Sequence, residues 1–160
     1  MSHPSLGRPP LDESAGHPKD AAALRAAVTR VAARALEAAV AADPTFRDRH
    51  DELRLRELLA DLQAFANRLA LAIASAEPGV MTSWAETVAV RYRKRAVAMD
   101  DVIALCEGLR RSVRGVVQPD ALPVADASLD AAITVFRYHR RLAGDARKRH
   151  PLIAFLYKGA

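Results

Sequence analysis

Cysteine is almost absent from this chain. Only Cys106 is present among 160 residues, which excludes an internal disulfide and any metal site built on several cysteines. Aromatic residues make up 5% of the chain and glycines number 7, a poor basis for a sheet, which favours aromatic and β-branched side chains. No stretch sustains a polar–apolar alternation of period two, so no sheet is expected. No apolar run approaches the roughly 20 residues that span a bilayer, so no membrane partner is expected. The first 19 residues contain no apolar signal core, and a cytoplasmic protein is the default. The five histidines, His3, His17, His50, His139 and His150, include no pair at i, i+4. HExxH, repeated ExxH, GxSxG, GxGxxG and phosphate-cradling glycine loops are all missing.

What is abundant is alanine, with 34 residues, in a chain 51% hydrophobic and 27% charged. Alanine is the best helix former, and this length suits one domain with its own core. The fold prediction is all-α: a compact bundle or globin-like arrangement of five to six helices over 20–160, behind a flexible tail at 1–19. That tail holds four prolines and two glycines without a hydrophobic period.

Periodicity predicts the elements. A first helix near 20–42, capped by Asp20, carries Leu24, Val28, Val31, Ala35 and Ala38 on one stripe. Asp43-Pro44 ends it. A second, near 51–76, alternates spacings of four and three through Leu55, Leu59, Leu62, Ala66, Leu69, Ile73 and Ala76. Leu58, Phe65 and Ala72 widen that stripe. Glu77-Pro78-Gly79 stops it. A third helix is expected from Ser83, with Glu86 completing a capping box and Trp84, Val88 and Tyr92 on its apolar face. A fourth, near 100–117, opens on Asp100-Asp101, where acids suit the helix dipole, and carries Val102, Leu105, Cys106, Leu109, Val113 and Val116. Pro119 and Pro123 bracket a loop. A fifth runs from about Asp126 to Arg149 with Leu129, Ala132, Ile133, Phe136, His139 and Ala143 inward. After Pro151 the apolar run Leu152, Ile153, Phe155, Leu156 and Tyr157 must dock, by preference on the chain's own core.

The chemistry-bearing candidates are few. Cys106 lies on an apolar stripe, where burial would make a thiol inert. Asp100 and Asp101 are adjacent rather than facing and read as a helix start, not a catalytic pair. No enzyme is expected. His139, inward beside Phe136, is the one candidate ligand for a haem or other tetrapyrrole; no cofactor is otherwise implied. The net charge of +5 is uneven, since residues 1–80 carry −1 and residues 81–160 carry +6. Arg91, Arg93, Lys94, Arg95, then Arg110 and Arg111, then Arg137, Arg140 and Arg141 fall on three successive helices. If they merge, they form a surface for phosphates or another anionic partner, nucleic acid included. If they do not, they are a solvated, partly ion-paired face.

Trp84, the run Ala89–Arg95 (AVRYRKR), the run Met99–Val113 (MDDVIALCEGLRRSV) and Phe136–Arg141 (FRYHRR) carry a resemblance. Over about residues 50–143 the chain resembles the helical N-terminal sensor domains of RsbR and RsbRD-like stressosome co-antagonists, and is similar to helical segments of PucR-type regulators. The resemblance implies an all-helical, globin-like or bundle-like fold, usually without haem, that gates an output domain or partner. It implies no catalytic residue. Such domains normally precede a STAS or DNA-binding output domain, and Val97-Ala98 stands where the family usually has a small residue. The functional expectation is therefore a sensory or regulatory module acting through a protein partner or a homodimer. The second-helix stripe and the C-terminal run are the expected dimer surfaces.

Overall fold

A computed structural model describes the backbone of residues 9–149 and the side chains of residues 9–142. The expected segments 1–8 and 150–160, including the apolar run after Pro151, lie outside the described residues, as does the side chain of Ala143. The described residues are all-helical. They form α1 (Pro18–Ala26), α2 (Val28–Ala42), α3 (Phe46–Arg49), α4 (Glu52–Ser75), α5 (Gly79–Lys94), α6 (Met99–Val113) and α7 (Leu122–Arg149).

The long apolar helix α4 is the centre of the bundle. Leu58, Leu62, Phe65, Ala66, Leu69, Ala72 and Ile73 are buried, packed against α1, α2, α5 and α7. Its stripe is therefore covered within one chain and is not available as a dimer face. Asp51 caps the helix by accepting the Arg54 N–H at 2.8 Å. α2 lies on α6, α6 on α7, and α7 on α5, which closes the ring back to α4. The α2–α6 crossing is close because Gly108 has no side chain: a β-carbon there would collide with the Ala35 carbonyl. Three aromatic rings, Phe65, Phe136 and Tyr92, stack edge to face through the core, with centroids 6.0 Å and 6.5 Å apart.

Several boundaries differ from the sequence expectation. The helix expected over 20–42 is two helices, broken at Ala27 (φ −101°, ψ 6°), because α1 packs on α4 whereas α2 turns onto α6. Its start is Pro18, whose fixed φ suits a first helical position. Asp20 does not cap it; its carboxylate accepts the Gln118 N–H at 2.7 Å. Gly16 and His17, expected in a loose tail, are tied to the bundle. They donate their N–H groups to Ala74 and Ile73 carbonyls at the end of α4, at 2.8 and 2.9 Å. The third expected helix begins one turn earlier, at Gly79, so Ser83 and Glu86 form no capping box. Burial of Met81 extends the apolar face backward, and Pro78 sits at the cap position. The fourth ends at Val113, four residues early, in turns that still bury Val117. The fifth begins at Leu122 and takes in Pro123, narrowing the expected loop. The one-turn helix α3 was not expected; it buries Phe46 completely.

Two helix ends adopt the left-handed backbone with alanine, at Ala76 (φ 55°) and Ala96 (φ 56°). Each is followed by a six-to-one bond, Glu77 N–H to Ala72 and Val97 N–H to Tyr92, that satisfies a terminal carbonyl. No helix among the described residues is long and apolar enough to cross a membrane.

Candidate functional site

The arginine clusters do not merge into one surface. α6 and α7 run antiparallel, as their ion pairs show. Arg110, late in α6, bonds Asp126 at 3.1 Å and Asp130 at 2.5 Å, early in α7. Asp100, which opens α6, bonds Arg140 at 2.6 Å, late in α7. Arg110 and Arg111 therefore lie at one end of the bundle, and Arg137, Arg140 and Arg141 at the other. Arg95 joins the second group by bonding Asp61 and Glu57, both at 2.8 Å, in the first half of α4. Partial burial works against its charge, and those two carboxylates outweigh that effect. Arg95, Arg110 and Arg140 are thus occupied by carboxylates of the same chain. Arg91, Arg93, Lys94, Arg111, Arg137 and Arg141 are exposed and form no ion pair among the described residues. Five of these six lie on the last turn of α5 and on residues 137–141 of α7, elements that also carry the exposed Val90, Tyr138 and Leu142.

His139 is only half-buried, and its Nδ1 is shielded from water without a hydrogen-bond partner. It contacts Tyr138 edge to face at 5.8 Å. Cys106 is wholly buried, and burial pushes its thiol up to about 12. A neutral buried thiol is no nucleophile at neutral pH. The Tyr92 hydroxyl is likewise pushed up, by burial and then by the Asp61 carboxylate.

Sequence reasoning missed a buried polar network. Asp101, at the third position of α6, is 5% exposed. It accepts from Arg49 Nη2 at 2.7 Å and faces His50 Nε2 at 2.8 Å. Arg49 also bonds Asp43 at 2.6 Å, which holds that carboxyl below its usual range. The Phe46 ring packs on His50 with centroids 4.8 Å apart. These groups satisfy one another and tie α3 to α6. A second cluster, His17, Asp20 and Asp120, brings one donor atom from each residue within 4.8 Å of the others. Its members are half-buried or exposed, and Asp20 already accepts the Gln118 N–H. It serves as a polar tie between the start of α1 and the α6–α7 connection.

A roomy cleft lies elsewhere, between α4, α5 and the segment before α1. It encloses about 760 Å³ and is lined by Leu11, Leu71, Val80 and Trp84 on its apolar side and by Arg68 and Ser75 among its polar groups. The Arg68 guanidinium carbon sits 4.9 Å from the Trp84 ring centroid. The Trp84 Nε1–H is buried without an acceptor. Ser75 is already satisfied, donating to the Leu71 carbonyl at 2.8 Å. Gly79 lines the cleft, and a β-carbon there would meet open space. On its other side Trp84 borders a pocket of about 120 Å³ with Asp61, Phe65, Arg91, Tyr92 and Arg95. His139 lines neither cavity.

No family model, no curated protein and no solved structure matches this chain. The site is therefore argued from its geometry. Of its residues, the sequence had named Trp84 on an apolar helix face, Ser83 as a cap, and Glu77 and Gly79 as a helix stop, none of them as a site. The role of Trp84 in the cleft depends on Arg68 and Leu11, which reach it from other elements.

Proposed function

We propose that the protein is a non-enzymatic sensory and regulatory module, in which a small ligand enters the α4–α5 cleft and a protein partner reads the consequence where α5 and α7 end. The cleft carries this reading. Its volume falls in the range of small-molecule sites, roughly 300–1,000 Å³, and such sites are largely apolar with a few placed polar groups. In its lining, the buried Trp84 indole N–H and the exposed Arg68 guanidinium have no acceptor among the described residues. An unmet buried donor costs about 1–3 kcal/mol, which an entering acceptor would recover.

α5 links cleft and surface. Trp84 is two turns before Arg91 on the same face of that helix, and both line the smaller pocket. A shift of α5 against α4 would move both together, and a ligand favouring one packing would bias the pair of states. The resemblance to helical sensor domains supplies the regulatory half of the proposal.

The test equilibrates purified protein with a small-molecule extract of its source cells and identifies retained compounds by mass spectrometry. Gly79→Leu, which fills open space beside the cleft, is the control. The expected result is a compound retained by the native chain and lost in the variant. Retention of nothing, or equal retention by both, removes the reading.

A second reading, docking of an anionic partner such as nucleic acid, is favoured by the five exposed cations at one end. Titration with DNA and RNA at about 50 mM salt, where electrostatic binding is strong, would show salt-sensitive binding. Absence of binding there ends it.

A further inference from the structure

We infer that the α4–α5 cleft recognises an apolar monocarboxylate, its carboxylate held by Arg68 and Trp84 and its hydrocarbon body lying along Leu11, Leu71 and Val80. The inference rests on the ligand-responsive reading above and names the ligand class of that cleft.

The donors decide the headgroup. Arg68 is exposed on α4, stacks on the Trp84 ring and has no carboxylate partner among the described residues. The Trp84 Nε1–H lacks an acceptor among the described residues. Two donors with no acceptor call for an acceptor, and a carboxylate presents two oxygens to a guanidinium and a neighbouring N–H. Charge-assisted bonds of this kind are about twice as strong as neutral ones. A small rotation of the indole, or of the arginine lying over it, brings the shielded N–H to the ligand.

The remaining lining sets the body and the charge. Pro9, Pro10, Leu11, Leu71 and Val80 offer hydrocarbon surface, against which each methylene leaves water. Two carboxylates also line the cleft, Asp12 and Glu77. Asp12 is already served by the Ser14 N–H at 2.9 Å and the Ser14 hydroxyl at 2.6 Å, which lower its pKa. It therefore stays ionised, with the Ser14 donors both on its Oδ1. Both acids repel a second negative charge. The cleft thus suits one carboxylate and disfavours a dicarboxylate or a phosphate dianion.

Trp84 is the only tryptophan, so intrinsic fluorescence reports directly from the cleft. The full chain is titrated with octanoate, 1-octanol, octylamine and the dicarboxylate suberate, which share one chain length. The expected result is a saturable change with octanoate, a weaker one with octanol and suberate, and none with octylamine. Arg68→Gln, at an exposed position on α4, lowers octanoate affinity about tenfold, the equivalent of one lost charge-assisted bond. It leaves octanol affinity unchanged. Equal responses to octanoate, octanol and octylamine, or an unchanged octanoate affinity in Arg68→Gln, overturn the carboxylate assignment. So does silence from all four probes. In each of those cases, a cleft compound found in the cell-extract experiment would leave the sensory reading standing with another ligand class. Failure of both experiments removes both.

Discussion

A carboxylate that is 5% exposed survives only where donors surround it, and Asp101 has Arg49 and His50 as those donors. Asp101→Asn removes the charge that faces the buried His50 imidazole and leaves Arg49 with Asp43 alone as its carboxylate partner. The expected loss is about 3 kcal/mol, as for other broken buried pairs, read as a lower urea midpoint at unchanged slope. The sequence shows Asp101 as a first-turn acid. It cannot show partners 51 and 52 residues away, because nothing local joins α3 to α6. Cys106 was legible, since an apolar stripe on both sides of a thiol implies burial. Its thiol ionises near 9 when unfolded and near 12 when folded. Folding therefore favours the neutral form. The associated stability is complete below pH 9 and is lost as pH rises toward 12, by up to about 1.4 kcal/mol per unit. Unfolding followed at pH 7, 9 and 10.5 should show this alkaline decline, flattened in Cys106→Ala. A disulfide exchange reagent should leave the folded thiol untouched.

At the scale of elements, helix existence was readable and helix ends were not. α4 follows from its unbroken stripe, whereas the break at Ala27 occurs within an alanine-rich stretch without glycine or proline. Only the competing docking sites on α4 and α6 account for it. Both left-handed helix ends use alanine where glycine is free of the β-carbon penalty. Ala96→Gly is expected to stabilise the fold by about 0.5–1 kcal/mol, the relief of left-handed strain less the added freedom of the unfolded chain. A small rise in melting temperature would show it, and a fall would contradict the strain argument. Gly108 works in the opposite direction. Gly108→Ala drives a methyl into the Ala35 carbonyl and forces α2 from α6, with an expected loss of about 2–3 kcal/mol from overpacking. On helix propensity alone the same change would stabilise by about 1 kcal/mol, so the sign of the measured effect decides which force governs.

At the scale of the whole molecule, one hydrophobic cluster runs from Ala21 to Phe136 and draws on every helix. A single shared core makes unfolding one cooperative event. Trp84 fluorescence and far-ultraviolet circular dichroism should therefore give coincident denaturant transitions; separated transitions would mean that the α4–α5 side opens alone. Charge is arranged by ends. Arg110 and Arg114 meet Asp126 on one side, and the unpaired cations of α5 and α7 collect on the other. That polarity follows from the antiparallel course of α6 and α7, which a linear list of arginines does not contain.

The sequence by itself determined the helical class, the central place of α4, the burial of Cys106 and the positive bias of the second half. All of these follow from local propensity and from hydrophobic period along one element. Tertiary structure alone decided the break between α1 and α2, the Asp101 network, the division of the arginines into two ends and the cleft under Trp84. Each of these depends on where separate helices dock, and docking is set by which surfaces fit together rather than by any residue's neighbours in the chain.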